Sequence, residues 1–323
     1  MKVSVCVPIY NVEKYIANCL NSLFLQSYNN IEYIFINDAS NDQSIEILKQ
    51  KLEEFPQHKS KTQIISHLKN KGLAAARNTA LKSLTGDFIL WVDPDDSIAL
   101  NAIELLVKKQ KESNADIIIF KMCFQFKNHT TVSSIPHNST PEQLIKAMLC
   151  RTTPVGVCGK FIKASLYKDF HIEVEEGINM GEDFQTTPRL VYYSKQISFL
   201  DKVLYYYNKT NENAYTKRYS ISKSRQIWRS IEILESFFSD KDPQFNYYLQ
   251  VSKLKQIAWD SIGYAKYKEN LSYLKEKRKF IKKIDFKLWK FIEKAYYPIL
   301  FFDNIKFIVF YIRTTSKIKN ILK

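Results

Sequence analysis

The chain has 323 residues, 45% hydrophobic and 14% aromatic, so a sizeable buried core is within reach. Its seven glycines and even composition exclude a disordered or repeat architecture, and a formal charge of +15 points to polyanions or an anionic membrane surface. Five scattered cysteines with no C-x-x-C pair exclude a disulfide framework and argue for reduced thiols rather than a zinc site. No stretch reaches the roughly 18 uncharged apolar residues of a spanning helix. Ala295 to Ile312 comes nearest, but Asp303 and Lys306 interrupt it. The opening residues are too short an apolar run for a cleavable signal.

Val3 to Asn11 reads as a buried strand stopped by Pro8, followed by a helix from Val12 to Gln26. Ile31 to Ile36 is a second strand, ending in the polar run Asn37 to Asp42. A helix from about 43 to 55 and a third strand over 62–66 follow. Gly72 supplies a turn into an alanine-rich helix. Phe88 to Val92 is a fourth buried strand and ends in three carboxylates, Asp93, Asp95 and Asp96. Like charges at the end of a buried strand repel and lose solvation, so they call for a reason. A divalent cation that also holds a substrate phosphate is one. A cap on a helix starting near Ile98 is the bland alternative. A helix over 100–113 and a strand over 116–120 complete the alternation. That pattern predicts a parallel three-layer α/β sheet with a ligand crevice at the carboxyl ends of its strands. The polar groups after strands one, two and four would converge there.

The stretches V-S-V-C-V-P-I-Y-N at 3–11, I-N-D-A-S-N-D at 36–42, N-K-G-L-A-A-A-R-N at 70–78 and D-P-D-D at 93–96 resemble the family 2 inverting glycosyltransferases. G-K-F-I at 159–162, G-E-D at 181–183 and the aromatic run at 205–216 continue the resemblance in order. It implies a GT-A fold, a Rossmann-like and mostly parallel sheet between helices, over 1–218. A helical C-terminal region over 219–323 would be appended to it. It also implies a UDP-sugar donor, Mn²⁺ or Mg²⁺ as cofactor, and a glycan or lipid-linked glycan acceptor in cell-surface polysaccharide synthesis.

Site roles carry over by that resemblance. Pro8, Tyr10, Asn11 and Glu13 would line the base and ribose, and Asp38 would accept from uracil N3–H. Asn70, Lys71, Arg77 and Lys160 would lie near the donor, Arg77 pairing with the diphosphate or with the acidic cluster. Asp93 would contact ribose and sugar and Asp95 would hold the metal, with Asp96 assisting or capping. Asp183 would be the general base and Glu182 would position substrate. Thr216, Lys217 and Arg218 are phosphate candidates in a loop starting at Tyr205. Two departures stand out. Ala39 replaces the usual glycine, so the turn there is expected to need no positive φ. Cys158-Gly159 replaces the usual Trp-Asn, which unsettles sugar specificity.

The tail combines Lys279, Lys282, Lys283, Lys287 and Lys290 with Trp289, Phe291, Tyr296, Tyr297, Phe301, Phe302, Phe307 and Phe310. Aromatics with lysines and no spanning length suit a membrane interface, against a bundle helix with a solvated basic face. A cytoplasmic enzyme, peripheral at the inner membrane face and without a nucleic-acid partner, is expected. One rival is a sugar nucleotidyltransferase, which would need a glycine-rich loop after strand one. The other is a non-catalytic basic protein binding membrane or nucleic acid, which would have no use for a crevice of acids.

Overall fold

A computed structural model of the chain describes residues 1–136, 139–212, 215, 219–267, 271–283, 287, 290, 292–301 and 304–315. Two compact units divide it: residues 1–144 with 155–214, and residues 145–154 with 215–323. The sequence places this boundary after residue 218. The structure divides the chain at 214/215 and also assigns 145–154 to the helical unit.

The first unit is built on a mixed sheet. Strands β1 (Val3–Ile9), β2 (Ile31–Asn37), β3 (Thr62–Ser66) and β4 (Phe88–Trp91) run parallel in the order β3-β2-β1-β4. Every residue of β1 and β4 is buried, as continuous apolar strands covered on both faces should be. Helices α1 (Ile16–Phe24), α2 (Ser44–Glu54) and α3 (Leu73–Ser83) make the crossovers.

The expected all-parallel sheet gives way after β4. After β5 (Ser97–Ile98) and helix α4 (Ala102–Ser113), strand β6 (Ile117–Gln125) is longer than expected. It pairs with β7 (Thr130–Val132) and with β8 (Lys160–Lys163), both antiparallel, and with β9 (Ile197–Asn208), parallel. β8 also pairs antiparallel with β4, and β5 with β9. The sheet is therefore mostly parallel on one side and mixed on the other. Between β7 and β9 lie α5 (Pro141–Leu149), α6 (Ser165–Asp169) and α7 (Glu182–Tyr193).

Three local expectations change. Ser97–Ile98 is strand and α4 begins only at Ala102, so Asp95 and Asp96 do not cap a helix at Ile98. Tyr205 to Asn208 belongs to β9, where aromatic side chains pack well against neighbouring strands, so no loop begins at Tyr205. Ala39 does adopt a positive φ, 58°. The turn after β2 holds it there: Ser40 N–H donates to Asn37 Oδ1, and Asp38 N–H donates to Ile9 O.

The second unit is helical: α8 (Ile221–Phe238), α9 (Pro243–Tyr267), α10 (Leu271–Arg278), α11 (Tyr297–Phe301) and α12 (Ile305–Thr314). Helix α10 stops at Arg278, and the chain continues as 3₁₀ turn over Lys279–Lys283. Buried Asp260 on α9 accepts from Ser224 Oγ at 2.6 Å, Trp228 Nε1 at 3.0 Å and Gln256 Nε2 at 3.0 Å. On α12, Ile308 and Ile312 are buried while Phe307 and Phe310 face outward. Among the described residues no helix is long and apolar enough to cross a membrane.

Candidate active site

The carboxyl ends of β1, β2 and β4 carry the polar residues. The chain leaves β1 through exposed Tyr10 and through Asn11 at φ 51°. Asn11 Oδ1 accepts from Asn41 N–H at 2.9 Å, and Glu13 Oε2 accepts from Gln43 N–H at 3.0 Å. A cleft of about 350 Å³ lies beside this turn, lined by Asn11–Tyr15, Asn41, Asp42 and Asn211.

Asp38 ends β2 and is buried. Its Oδ1 accepts from Lys71 N–H at 2.8 Å and its Oδ2 from Gly72 N–H at 2.7 Å. His67 Nδ1 lies 2.7 Å from Oδ1, and His67 Nε2 lies 2.8 Å from Thr79 Oγ1. Asn70 Nδ2 donates to the Asp38 carbonyl at 3.3 Å. The carboxylate thus holds the 70–72 turn that starts α3. A carboxylate offers about four lone-pair positions, so one remains for a further donor.

Arg77, one turn into α3, is 3% exposed and is the hub of the site. Its Nη1 donates to Asp183 Oδ1, and its Nη2 lies 3.7 Å from Glu182 Oε1 and 3.8 Å from Asp93 Oδ1. The guanidinium also sits 5.5 Å from the Trp91 ring centre. Burial opposes its charge, and the Asp183, Glu182 and Asp93 carboxylates more than restore it. Asp183 and Glu182 reach it because Gly181, at φ 94°, turns the chain into α7 and leaves both acids in the first turn.

The acids are not equivalent. Burial and the Asp183 charge push Glu182 up to about 8, against the pull of Arg77. Burial, opposed by Arg77 and reinforced by Asp95 and Asp183, brings Asp93 up to about 6. Burial with Asp93 and Asp95 pushes Asp96 up to about 8. Both oxygens of Asp96 are bonded: Oδ2 accepts from Tyr205 O–H and Oδ1 from Asn208 N–H, both at 2.7 Å. Tyr205 Oη also accepts from Asp93 N–H at 3.0 Å, so one buried phenol ties both ends of the acid loop to β9. Asp95 Oδ2 accepts from Asn211 Nδ2 at 2.7 Å. Lys160 on β8 is buried, and that burial lowers it to about 8 against the attraction of Asp183. Its Nζ donates to Gly156 O.

Among the described residues no three ligating side chains form a ready-made metal cage. Asp93 and Asp95 still fit a hard cation. Mg²⁺-type sites take one or two carboxylates and complete their shell with water and substrate phosphate. Burial, with the Asp95 and Asp183 charges, raises Asp93, and a cation there would offset all three.

The structure therefore brings Arg77, Asp93, Glu182, Asp183 and Lys160 together. Asp95, Asp96 and Asn211 stand beside them on the acid loop and its clamp. Pro8, Tyr10, Asn11, Glu13, Asp38 and Asn70 belong to the neighbouring turns. Thr216, Lys217 and Arg218 lie outside the described residues. Sequence reasoning missed the structural work of His67, Asn179, Tyr205, Asn208 and Asn211. Tyr205 carried the one usable signal, as a tyrosine in an apolar strand needing a partner for its hydroxyl. Cys158 lies against Asp93, and burial raises its thiol far above the ordinary range.

A mixed α/β sheet with this acid loop and helix-borne acid pair defines a nucleotide-sugar transferase scaffold of the GT-A type. Residues 4–169 match Glycosyl transferase family 2, and the chain belongs to that family. It is 32% identical over 218 residues to glycosyltransferase GlyA of Streptococcus pneumoniae serotype 4, covering 64% of this chain and 30% of GlyA. It is 28% identical over 223 residues to EpsJ of Bacillus subtilis, an uncharacterized glycosyltransferase, covering 67% of this chain and 63% of EpsJ. TarS of Staphylococcus aureus, a poly(ribitol-phosphate) beta-N-acetylglucosaminyltransferase, is 29% identical over 64% of this chain and 35% of its own. The matched region thus spans between about a third and two thirds of these relatives. The crystal structure of TarS 1–349 with UDP-GlcNAc superposes at a TM-score of 0.72 and 21% identity, over 100% of this chain and 93% of that one.

Proposed function

We propose that this chain is a metal-dependent inverting glycosyltransferase that moves a sugar from a UDP-sugar to a glycan or lipid-linked glycan in surface polysaccharide synthesis. The observation that carries the reading is the buried Arg77 with Asp93, Glu182 and Asp183 around it, next to Asp95, at the carboxyl ends of the strands. The family and the UDP-GlcNAc-bound TarS neighbour support the donor class. The relatives' names support a glycan-type acceptor.

Pro8, Tyr10, Asn11 and Glu13 line the nucleoside, and the remaining lone pair of Asp38 meets the base N–H. Arg77 and the turn at Asn70 and Lys71 face the diphosphate. Arg77 Nε–H, buried and without a hydrogen-bond partner in the structure, is a donor still to be spent on an anion. Asp93 and Asp95 would hold Mn²⁺ or Mg²⁺, which when bound supplies Lewis-acid neutralisation of the leaving UDP.

Asp183 takes the acceptor proton. The acceptor oxygen bonds to the anomeric carbon as the bond from that carbon to the UDP oxygen breaks, so an α-linked donor yields a β-linked product. Glu182, held neutral at pH 7 by its raised proton affinity, is unsuited to be the base and instead hydrogen-bonds substrate. Donor diphosphate gives Arg77 a second anionic partner and loosens its hold on Asp183. The C-terminal unit supports membrane-face work: Phe307 and Phe310 point outward on α12, beside exposed Lys306 and Arg313. Trp289, Phe291 and Phe302 lie outside the described residues.

Titration with UDP, with and without Mn²⁺, tests the reading. Mn²⁺-dependent UDP binding supports it. Absence of UDP binding, with or without Mn²⁺, refutes it. A nucleotidyltransferase would instead require nucleoside triphosphate, and β1 ends in Pro8-Ile9-Tyr10-Asn11 with no glycine to cradle one.

A further inference from the structure

We infer that Asn179 and Asn78 are positioning residues that clasp α3 to the segment bearing the base, so that the donor-side turn and Asp183 respond to the donor as one piece. The inference rests on the donor and base assignments above.

Helix α3 has no cap of its own. Its N-cap is Gly72, at φ 87°, with no side chain to accept from the first-turn amides. The cap comes from 105 residues further along the chain: Asn179 Oδ1 accepts from Ala74 N–H at 3.0 Å. The approach is close enough to dictate glycine at residue 72. A Cβ added there would lie 2.2 Å from Asn179 Nδ2.

Asn78, near the middle of the same helix, makes the second attachment. Its Nδ2 donates to Val174 O at 2.8 Å, and its Oδ1 accepts from Val174 N–H at 3.0 Å. This two-bond clasp reproduces a strand-ladder pair with a side chain. Asn78 is buried, so neither bond is readily exchanged for water. Between the two attachments lies the Arg77 to Asp183 ion pair. The segment 174–183 is thus fastened to α3 at three points.

The other end of the linkage is the 70–72 turn, held by the Asp38 carboxylate through the Lys71 and Gly72 amides. Hydrogen bonds from Asp38 to the Lys71 and Gly72 amides and from Ala74 to Asn179, joined by two short stretches of backbone, therefore lead from Asp38 to the segment that enters α7. Donor that orders the 70–72 turn will order the base segment as well, provided Asn179 and Asn78 are in place. The mechanism as derived does not need either asparagine to touch substrate. Their effect passes through Arg77 and Asp183.

Hydrogen–deuterium exchange of the full chain, with and without UDP and Mn²⁺, tests this. In the wild type UDP should slow exchange both at 70–78 and at 172–183. In Asn179→Ala, UDP affinity should stay within about threefold of wild type while the UDP-dependent protection of 172–183 is lost. Ala74 N–H can turn to water there, because Asn179 is only half-buried. Asn179→Asp keeps an oxygen for Ala74 N–H and should restore the protection. Asn78→Asp, which keeps the acceptor and loses the donor, probes the second clasp should Asn78→Ala fail to fold. A merely structural role would raise exchange equally with and without UDP. That result overturns the inference, and so does unchanged UDP-dependent protection of 172–183 in Asn179→Ala. A wild type that binds no UDP brings down the proposed function itself, and this inference with it.

Discussion

Replacing Asp183 with asparagine separates chemistry from binding. The side chain keeps its shape and an oxygen toward Arg77 Nη1, and loses its charge and its capacity to take a proton. Removing one partner of a buried ion pair ordinarily costs about 3–5 kcal/mol, because the other charge is stranded. Arg77 would not be stranded. The Asp93 carboxylate stands 3.8 Å from its Nη2, so the stability cost should be about 1–2 kcal/mol, that of a weakened hydrogen bond. UDP affinity should be close to wild type. Turnover should fall about 10²- to 10⁴-fold, the worth of a general base, or roughly 2.7–5.4 kcal/mol in the transition state. Calorimetric titration with UDP and Mn²⁺ gives the affinity, and UDP release from the UDP-sugar of a donor panel that the wild type turns over fastest, on the same preparations, gives the rate. Near-wild-type turnover would move the base elsewhere.

Asp95→Ala should lose the Mn²⁺ dependence of UDP binding while the fold survives, since the bond it removes is the one Asp95 Oδ2 accepts from Asn211 Nδ2; unchanged Mn²⁺ dependence would remove Asp95 from the metal site. The donor-free protein should lose thermal stability as pH rises from about 5 to 8. Unfolded carboxyls release their protons near 4, whereas folded Asp93 holds its proton to about 6 and Glu182 and Asp96 to about 8. The native state therefore binds more protons in that window, so its stability falls with rising pH. UDP with Mn²⁺ should flatten the fall, and a Tm that rises across the window refutes the assignment. For the C-terminal unit, Phe307→Ser with Phe310→Ser should weaken co-sedimentation with phosphatidylglycerol vesicles and leave UDP binding unchanged. These substitutions spare the buried Ile308 and Ile312, which truncation after Lys277 would remove. Vesicle binding equal to wild type would exclude that face.

Much of the donor-side architecture was legible in the chain itself. Continuous apolar strands alternating with amphipathic helices require both faces of a sheet to be covered, and this predicts β1 to β4 with their crossovers. Each polar run at a strand end then points to the crevice, because the period and the connection are local properties. Asp38, Asp93 and Asp95 follow in that way, whereas the 70–78 run enters the site only through the family resemblance. The G-E-D run had a weaker local signature, since two acids in a first helical turn are also what the helix dipole favours. Tertiary structure alone decided the rest. The pairing of Arg77 with Asp183 spans 106 residues, and the Asn179 cap on α3 spans 105. No periodicity encodes contacts of that separation. The antiparallel turn of β8 between β4 and β6 depends on which edges are free once the parallel half has formed. Ala39 at φ 58° is likewise fixed by neighbours, whose hydrogen bonds outweigh a local preference. The unequal proton affinities of Asp93, Glu182 and Asp96 arise only when burial and like charges are combined in one place. Local propensity thus wrote the strands, helices and turns, and long-range packing wrote the electrostatics of the site.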